Sequence, residues 1–448
     1  MARASNTTHA EIGRRAAPQP ISGSELPGLP HFARSITAAS GDVERRDRWL
    51  RRDAVGSVPE TMPASLLAAC IRDYGASSPE LARGLRGSRA STLASGATGV
   101  AYFFYRVGRA DRDPALLELA AAWVDRARRD ARRANAFPTG KRATAVVGAS
   151  ALYHRLPGVH CVEALIALAR ADKASARAAV DAFVGASRVR DAHKDLFTGR
   201  ASLLLGAAAI LDAGGKRPPF DRAALVAMGN AERARLWRAI DRRPRIAVSK
   251  VPQTLGIAHG WAGLLYATLR WSESSGSSLP PATGDRLIEL AERGIVDDAN
   301  RIRWPAWAPA VTDDRMSMAG WCNGVAGHVF LWTLAHTLTG DADYLMLAHG
   351  AARTVDALVR ANARTIRDLC CGDVGMAYAL ACAHRHDGER AWLASARRLA
   401  ARAGSIRAVG SLRANLFKGD IGVALLQAEL RQPESARMPM FERETAAR

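Results

Sequence analysis

The chain opens without the apolar stretch that marks a secreted precursor: its first 30 residues are polar and broken by Pro18, Pro20, Pro27 and Pro30. Nowhere does it carry a run of about 18 apolar residues, so no membrane-spanning helix is expected. Both absences point to a cytoplasmic protein. Cysteine is scarce, six in 448 residues, which is no disulfide framework, and a reducing compartment opposes one. Aromatic residues amount to only 6%, and Val and Ile are sparse, which leaves few of the residues that favour strands. No helix-turn-helix, zinc-finger or RNA-binding signature is present. The net charge of +20 comes almost wholly from Arg. It is scattered over many helical segments without interleaved aromatics, so it reads as a solvated surface and not as a nucleic-acid footprint.

What the chain has in abundance is Ala, Leu and Arg, all good helix formers. With 48% hydrophobic residues, a sizeable core is within reach. Residues 1–55 are polar and then Arg-rich, and are expected to form a flexible basic tail. Residues 56–432 alternate amphipathic helical patterns with short Gly-bearing joints, and residues 433–448 are expected to form a second flexible tail. Segments 115–136 and 160–184 each show apolar residues at the i, i+3, i+4, i+7 spacing of a one-sided helix.

A repeat runs through this domain. A short loop, then Gly-x-x-Gly, then an apolar helix occurs as LASGATGVAYFFY, LFTGRASLLLGAA, GIAHGWAGLLYAT, GWCNGVAGHVFLW, LCCGDVGMAYALA and LFKGDIGVALLQA. The first glycines are Gly96, Gly199, Gly260, Gly324, Gly372 and Gly419, and Ser202 replaces the second glycine in one copy. The first glycine suggests a positive φ or a close backbone approach. The second suggests room for a neighbouring helix. Helices that are apolar all round should be buried, and the amphipathic ones between them should lie outside. Six of each describe an all-α fold, an α/α toroid of six inner and six outer helices. All Gly-bearing loops would then face one opening.

Three copies carry chemistry-bearing residues in that loop: His259 in GIAHG, Cys322 in GWCNG, and Cys370 with Cys371 in LCCG. Asp195 precedes Gly199 by four residues. Three cysteines meeting at one opening suit Zn²⁺, which takes thiolates in tetrahedral geometry and keeps a fourth position open in a catalytic site. Cys70, Cys161 and Cys382 fall in apolar helical stretches and read as inert core residues. Read without further context, His259 is a core histidine and Asp195 a helix cap. Trp261, Trp321 and Trp332 read as packing groups. His328, His384 and His386 read as structural or exposed.

This ordered set of motifs resembles the lanthionine synthetase C-like cyclases over about residues 60–432. The resemblance implies a central zinc that binds a Cys thiolate of a ribosomally made precursor peptide. That thiolate adds to dehydroalanine or dehydrobutyrine and closes a (methyl)lanthionine ring. It further implies that Cys322 and Cys370 are zinc ligands and that Cys371 takes the place of the family's usual His. Three thiolates make the site more negative and a bound substrate thiolate more nucleophilic. His259 is implied as the acid that protonates the resulting enolate, a task suited to histidine with its ordinary pKa of about 6.5, and Asp195 as its partner.

Two family features are replaced: Met318 stands where an Arg is common, and Asn323 where Tyr or His is common, with Arg315 as another route to the site. No kinase or dehydratase segment is visible, so a separate dehydratase or kinase/lyase partner is expected. The same motifs would serve addition of glutathione or another thiol to dehydroamino acids, and a non-catalytic peptide-binding scaffold is the alternative of a different class. A glycosidase toroid, which works with two acids, fits poorly a mouth where Asp195, Asp373 and Asp420 share space with cysteines.

Overall fold

The computed structural model describes residues 65–444 apart from 88, 250, 251, 253, 309–317, 364 and 365. The expected basic tail and Arg315 lie outside the described residues.

The expected alternation of helices is present. Among the described residues we number the fourteen long helices: α1 (Ser65–Asp73), α2 (Ala97–Asp111), α3 (Pro114–Asp130), α4 (Leu156–Ala169), α5 (Lys173–Ser187), α6 (Ala201–Gly214), α7 (Arg222–Ile240), α8 (Trp261–Ser275), α9 (Thr283–Ala291), α10 (Val325–Thr339), α11 (Ala342–Arg360), α12 (Asp373–Asp387), α13 (Arg390–Gly404) and α14 (Asp420–Glu429). Even-numbered helices are inner and odd-numbered ones outer. Each inner helix packs on the next, and α14 returns to α2, closing the ring. The outer helix of each pair follows its inner partner, except that α1 covers α14.

The sequence explains both layers. In α6, ASLLLGAAAILDAG, every residue from Ala201 to Leu211 is buried, as a helix apolar all round must be. The turns outward follow one recipe. Inner helices end on a left-handed residue, as at Arg112, Gly340 and Gly388. An acidic side chain then caps the outer helix, except at α9: Asp113 accepts from the Ala115 and Leu116 amides, and Asp341 from that of Asp343. Among the described residues no helix is long and apolar enough to cross a membrane.

The α/α toroid is therefore as expected, but its ring holds seven pairs among the described residues, not six. The missed copy is the loop before α4, Leu152-Tyr153-His154-Arg155, where Arg155 occupies the place of the first glycine. Its backbone is as extended as that of Gly96, with φ −136° against −127°. Its side chain has room because it runs back along the preceding segment, donating to the carbonyls of Pro138, Val147 and Gly148.

The glycines of the other loops answer to close approach and not to positive φ. A Cβ on Gly372 would lie 1.7 Å from the Ile366 carbonyl oxygen. The second glycine also differs from expectation. A Cβ on Gly263 would lie 1.9 Å from the carbonyl oxygen of Ile257, in its own loop, so that glycine makes room chiefly for the loop.

The C-terminal segment is a second correction. Residues 433–444 are not a flexible tail; they enter the centre of the ring behind the loops. Phe441 stacks on Tyr266 of α8 at 4.0 Å and meets Phe330 of α10 and Trp321 edge-on. Met438 and Met440 are buried. Glu444 is buried against Arg106 and Tyr102 of α2, and Arg106 also pairs with Glu429 at 2.6 Å. The apolar residues here have no period and are interrupted by Arg and Pro, which is why the sequence reads as a tail.

Candidate metal centre at the mouth of the ring

The loops that enter the inner helices share a four-residue register. First comes a buried apolar anchor: Leu93, Leu152, Leu196, Ile257, Trp321, Leu369 or Leu416. The second position is Ala94, Tyr153, Phe197, Ala258, Cys322, Cys370 or Phe417. Backbone bonds join these second positions around the mouth. The amides of Phe197, Ala258, Cys322, Cys370 and Phe417 donate to the carbonyls of Ala258, Cys322, Cys370, Phe417 and Ala94, and the Ala94 amide to Tyr153. The third position, one residue before the Gly or Arg, is Ser95, His154, Thr198, His259, Asn323, Cys371 or Lys418.

This register brings the predicted cysteines together. Cys322 and Cys370 hold the same place in adjacent loops, tied by an amide-to-carbonyl bond of 2.9 Å. Cys371 follows at the third position. Its sulfur lies 3.3 Å from Cys322 Sγ and 3.4 Å from Cys370 Sγ, and all three fall within 4.8 Å of one another. Sulfurs at the corners of a tetrahedron around an ion 2.3 Å away stand about 3.8 Å apart. The trio therefore fits one soft divalent ion, and among the described residues it is the one group that does.

Hydrogen bonds from Cys322 and then Cys370 pull the Cys371 thiol well below the ordinary thiol range, and Lys418 adds to the effect. Cys70, Cys161 and Cys382 are buried apart from this site, and burial pushes each of their thiols up.

His259 sits one loop away, on the residue after Ala258, whose amide donates to the Cys322 carbonyl. Its side chain is 43% exposed at the mouth, and its Nδ1 faces Asp195 Oδ2 at 3.4 Å. Asp195 also accepts from the Thr198 amide at 2.6 Å and the Thr198 hydroxyl at 2.7 Å. It thus shapes its loop and meets His259 at the same time. Burial alone would raise the Asp195 carboxyl; bonds from His259 and Thr198 hold it below the usual carboxylate range.

Asn323 turns away from a ligand role, accepting from the Gly256 amide at 3.1 Å. Met318 is exposed near it. Trp261, Trp321 and Trp332 are fully buried, so they are packing groups; Trp321 contacts Phe197, Phe417 and Phe441.

Lys418 was not expected. Its Nζ donates to Cys371 Sγ at 2.9 Å and pairs with Asp368 at 3.2 Å. Burial works against its charge, but the neighbouring cysteines and Asp368 outweigh this and hold it protonated. The signal was available: LFKG, LCCG and IAHG place Lys418, Cys371 and His259 at one register.

A family model described as "Lanthionine synthetase C-like protein" matches residues 87–442. The chain belongs to that family. Its membership makes it a lanthionine-cyclase-like enzyme, as the ordered motifs suggested. Among solved structures, nisin cyclase is similar in fold, with a TM-score of 0.64 at 12% identity, covering 83% of this chain and 95% of that one. No curated protein sequence matches it significantly.

Proposed function

We propose that this lanthionine synthetase C-like protein is a zinc-dependent cyclase. It adds a Cys thiolate of a ribosomally made peptide to a dehydroalanine or dehydrobutyrine of the same peptide, giving a lanthionine or methyllanthionine. The observation that carries this reading is the convergence of three thiols at one point of the mouth, one loop from a histidine that faces a carboxylate.

Cys322, Cys370 and Cys371 would hold the ion, with the fourth position of a tetrahedral site left to the substrate thiol. When bound, zinc lowers the pKa of the substrate thiol so that it reacts as a thiolate at neutral pH. The remaining work belongs to side chains. Addition of sulfur to the β-carbon leaves an enolate whose α-carbon must take a proton. His259, exposed at the mouth, delivers it; Asp195 orients the ring and favours its charged form. The pair is reset by a proton from solvent. Substitution at Met318 of the Arg common in the family leaves this half of the reaction to His259 and Asp195.

The substrate class has support from the rim. Met318 and Ile366 stand six residues before the glycines of their loops and Leu412 seven before Gly419, each with its carbonyl against that glycine, and all three side chains are exposed. Exposed apolar side chains at a polar mouth suit a peptide better than a small polar thiol. Dehydration of Ser or Thr falls to a separate partner enzyme.

The test is made on purified protein with a chemically or enzymatically dehydrated peptide bearing one free Cys. The wild type should contain about one zinc per chain and form thioether. The Cys371→Ala protein should lose the metal, and the His259→Ala protein should keep it while losing ring formation. A metal-loaded wild type with no thioether product from any dehydrated peptide would favour a peptide-binding scaffold.

A further inference from the structure

Zinc held by two thiolates and an imidazole is formally neutral. Held by three thiolates it carries a negative charge, and a fourth thiolate adds another. Crowding negative charge in a half-buried mouth weakens the hold on both ion and substrate sulfur unless something opposes it. The extra charge resides on Cys371, the residue at the family's histidine position, and Cys371 is the sulfur that Lys418 touches, at 2.9 Å.

The contact is built and not incidental. Asp368 Oδ1 accepts from the Cys371 amide at 2.7 Å, and Asp368 Oδ2 meets Lys418 Nζ at 3.2 Å. One carboxylate thereby fixes the cysteine backbone and aims the ammonium at its sulfur. The two loops are locked together by the Cys370 amide donating to the Phe417 carbonyl at 3.1 Å. Lys418 is also anchored at its own backbone, where its amide donates to Asn415 Oδ1 at 2.8 Å. Its side chain is 40% exposed, so the ammonium forms part of the wall that a bound substrate sulfur would face.

We infer that Lys418 is the positioning residue that makes a three-thiolate centre workable here, its N–H···S bond drawing charge from Cys371 so that this sulfur can replace a neutral imidazole. The inference rests on the metal-centre reading above. It makes Lys418 and Cys371 a coupled pair: the lysine matters because the ligand beside it is a thiolate, and beside a histidine ligand it would keep only its pairing with Asp368.

The experiment is a double-mutant cycle with zinc affinity as readout, measured by competition with a chromophoric chelator at one fixed pH. The absorption of the Co²⁺-substituted proteins is recorded alongside. The proteins are wild type, Lys418→Met, Lys418→Arg, Cys371→His and the Lys418→Met/Cys371→His double variant. In the Cys371 background, Lys418→Met should weaken zinc about tenfold and move the thiolate-to-cobalt charge-transfer band to lower energy, with Lys418→Arg restoring most of both. In the Cys371→His background the same lysine removal should change affinity by less than about twofold. Equal losses in both backgrounds would make Lys418 a mere loop anchor, and no loss with an unmoved cobalt band would leave it no role; either overturns the inference while the metal centre stands. A wild type that binds neither zinc nor cobalt removes the metal-centre reading itself.

Discussion

The two histidines at the third loop position, His154 and His259, show how one scaffold puts the same side chain in two environments. Both stand two residues after a buried anchor and one before the residue that caps an inner helix. His154 is buried against Phe197, its Nδ1 without a partner among the described residues, and burial, then Arg89, pushes its pKa down to about 3. His259 is exposed and faces a carboxylate. The same contrast divides the whole ring. On the side of α8 to α14 the third positions are His259, Asn323, Cys371 and Lys418, polar or sulfur-bearing and open to the mouth. On the side of α2 to α6 His154 and Thr198 are buried, one packed on Phe197 and the other bonded within its loop, and Ser95 is half-buried. The repeat supplies equal positions, and exposure with neighbouring charge decides which of them can act.

The contrast breaks most severely at the exposed histidine. His259→Ala should leave folding and zinc content intact and slow ring formation by about 10²–10⁴-fold, the usual range for loss of a general acid. Ring formation is read by mass spectrometry after thiol alkylation, and an unchanged rate would assign the proton to another donor.

Damage behind the mouth should do the opposite. Arg106→Met leaves Glu429 buried without its cation and Glu444 with only Arg109, at 3.9 Å, and should cost about 3–5 kcal/mol of stability. Zinc per folded chain should stay the same. Urea unfolding with metal analysis separates the two effects.

The buried histidine gives a smaller signal with a definite sign. Its folded pKa lies below the unfolded value, so the unfolded chain binds the proton more readily. Stability from a neutral His154 is therefore complete above about pH 6.5 and drains away toward about pH 3. His154→Leu should remove this term. Between pH 6.5 and 5 the wild type should lose about 2 kcal/mol more than the variant. Parallel losses would show that His154 is not the group titrating.

Smallest is the carboxylate behind His259. Asp195→Asn keeps one oxygen for Thr198 but removes the charge facing the imidazole, and should slow ring formation about tenfold. A loss as large as that of His259→Ala would give Asp195 a direct part in the chemistry.

Much of this was legible before any coordinates. The helices, the toroid and the meeting of Cys322 with Cys370 and Cys371 follow from one Gly-bearing motif, because its physical cause is local: a carbonyl oxygen pressed where a Cβ would be. The seventh copy escaped because Arg155 solves the same backbone problem with a side chain that bonds three carbonyls. The C-terminal segment escaped because its buried residues are placed by aromatic partners on distant inner helices, which no local period reports. Lys418 escaped because a lysine beside a glycine reads as solvated until the loops are stacked in register.

The central claim is that three protein sulfurs hold a zinc ion with one place left for a substrate sulfur. X-ray absorption at the zinc edge tests it directly on wild-type protein before and after adding a thiol-bearing dehydrated peptide. The account predicts about three sulfur neighbours near 2.3 Å and one lighter atom at first, then about four sulfurs with the peptide bound. Two or fewer protein sulfurs, or a coordination shell that ignores the peptide thiol, would contradict it.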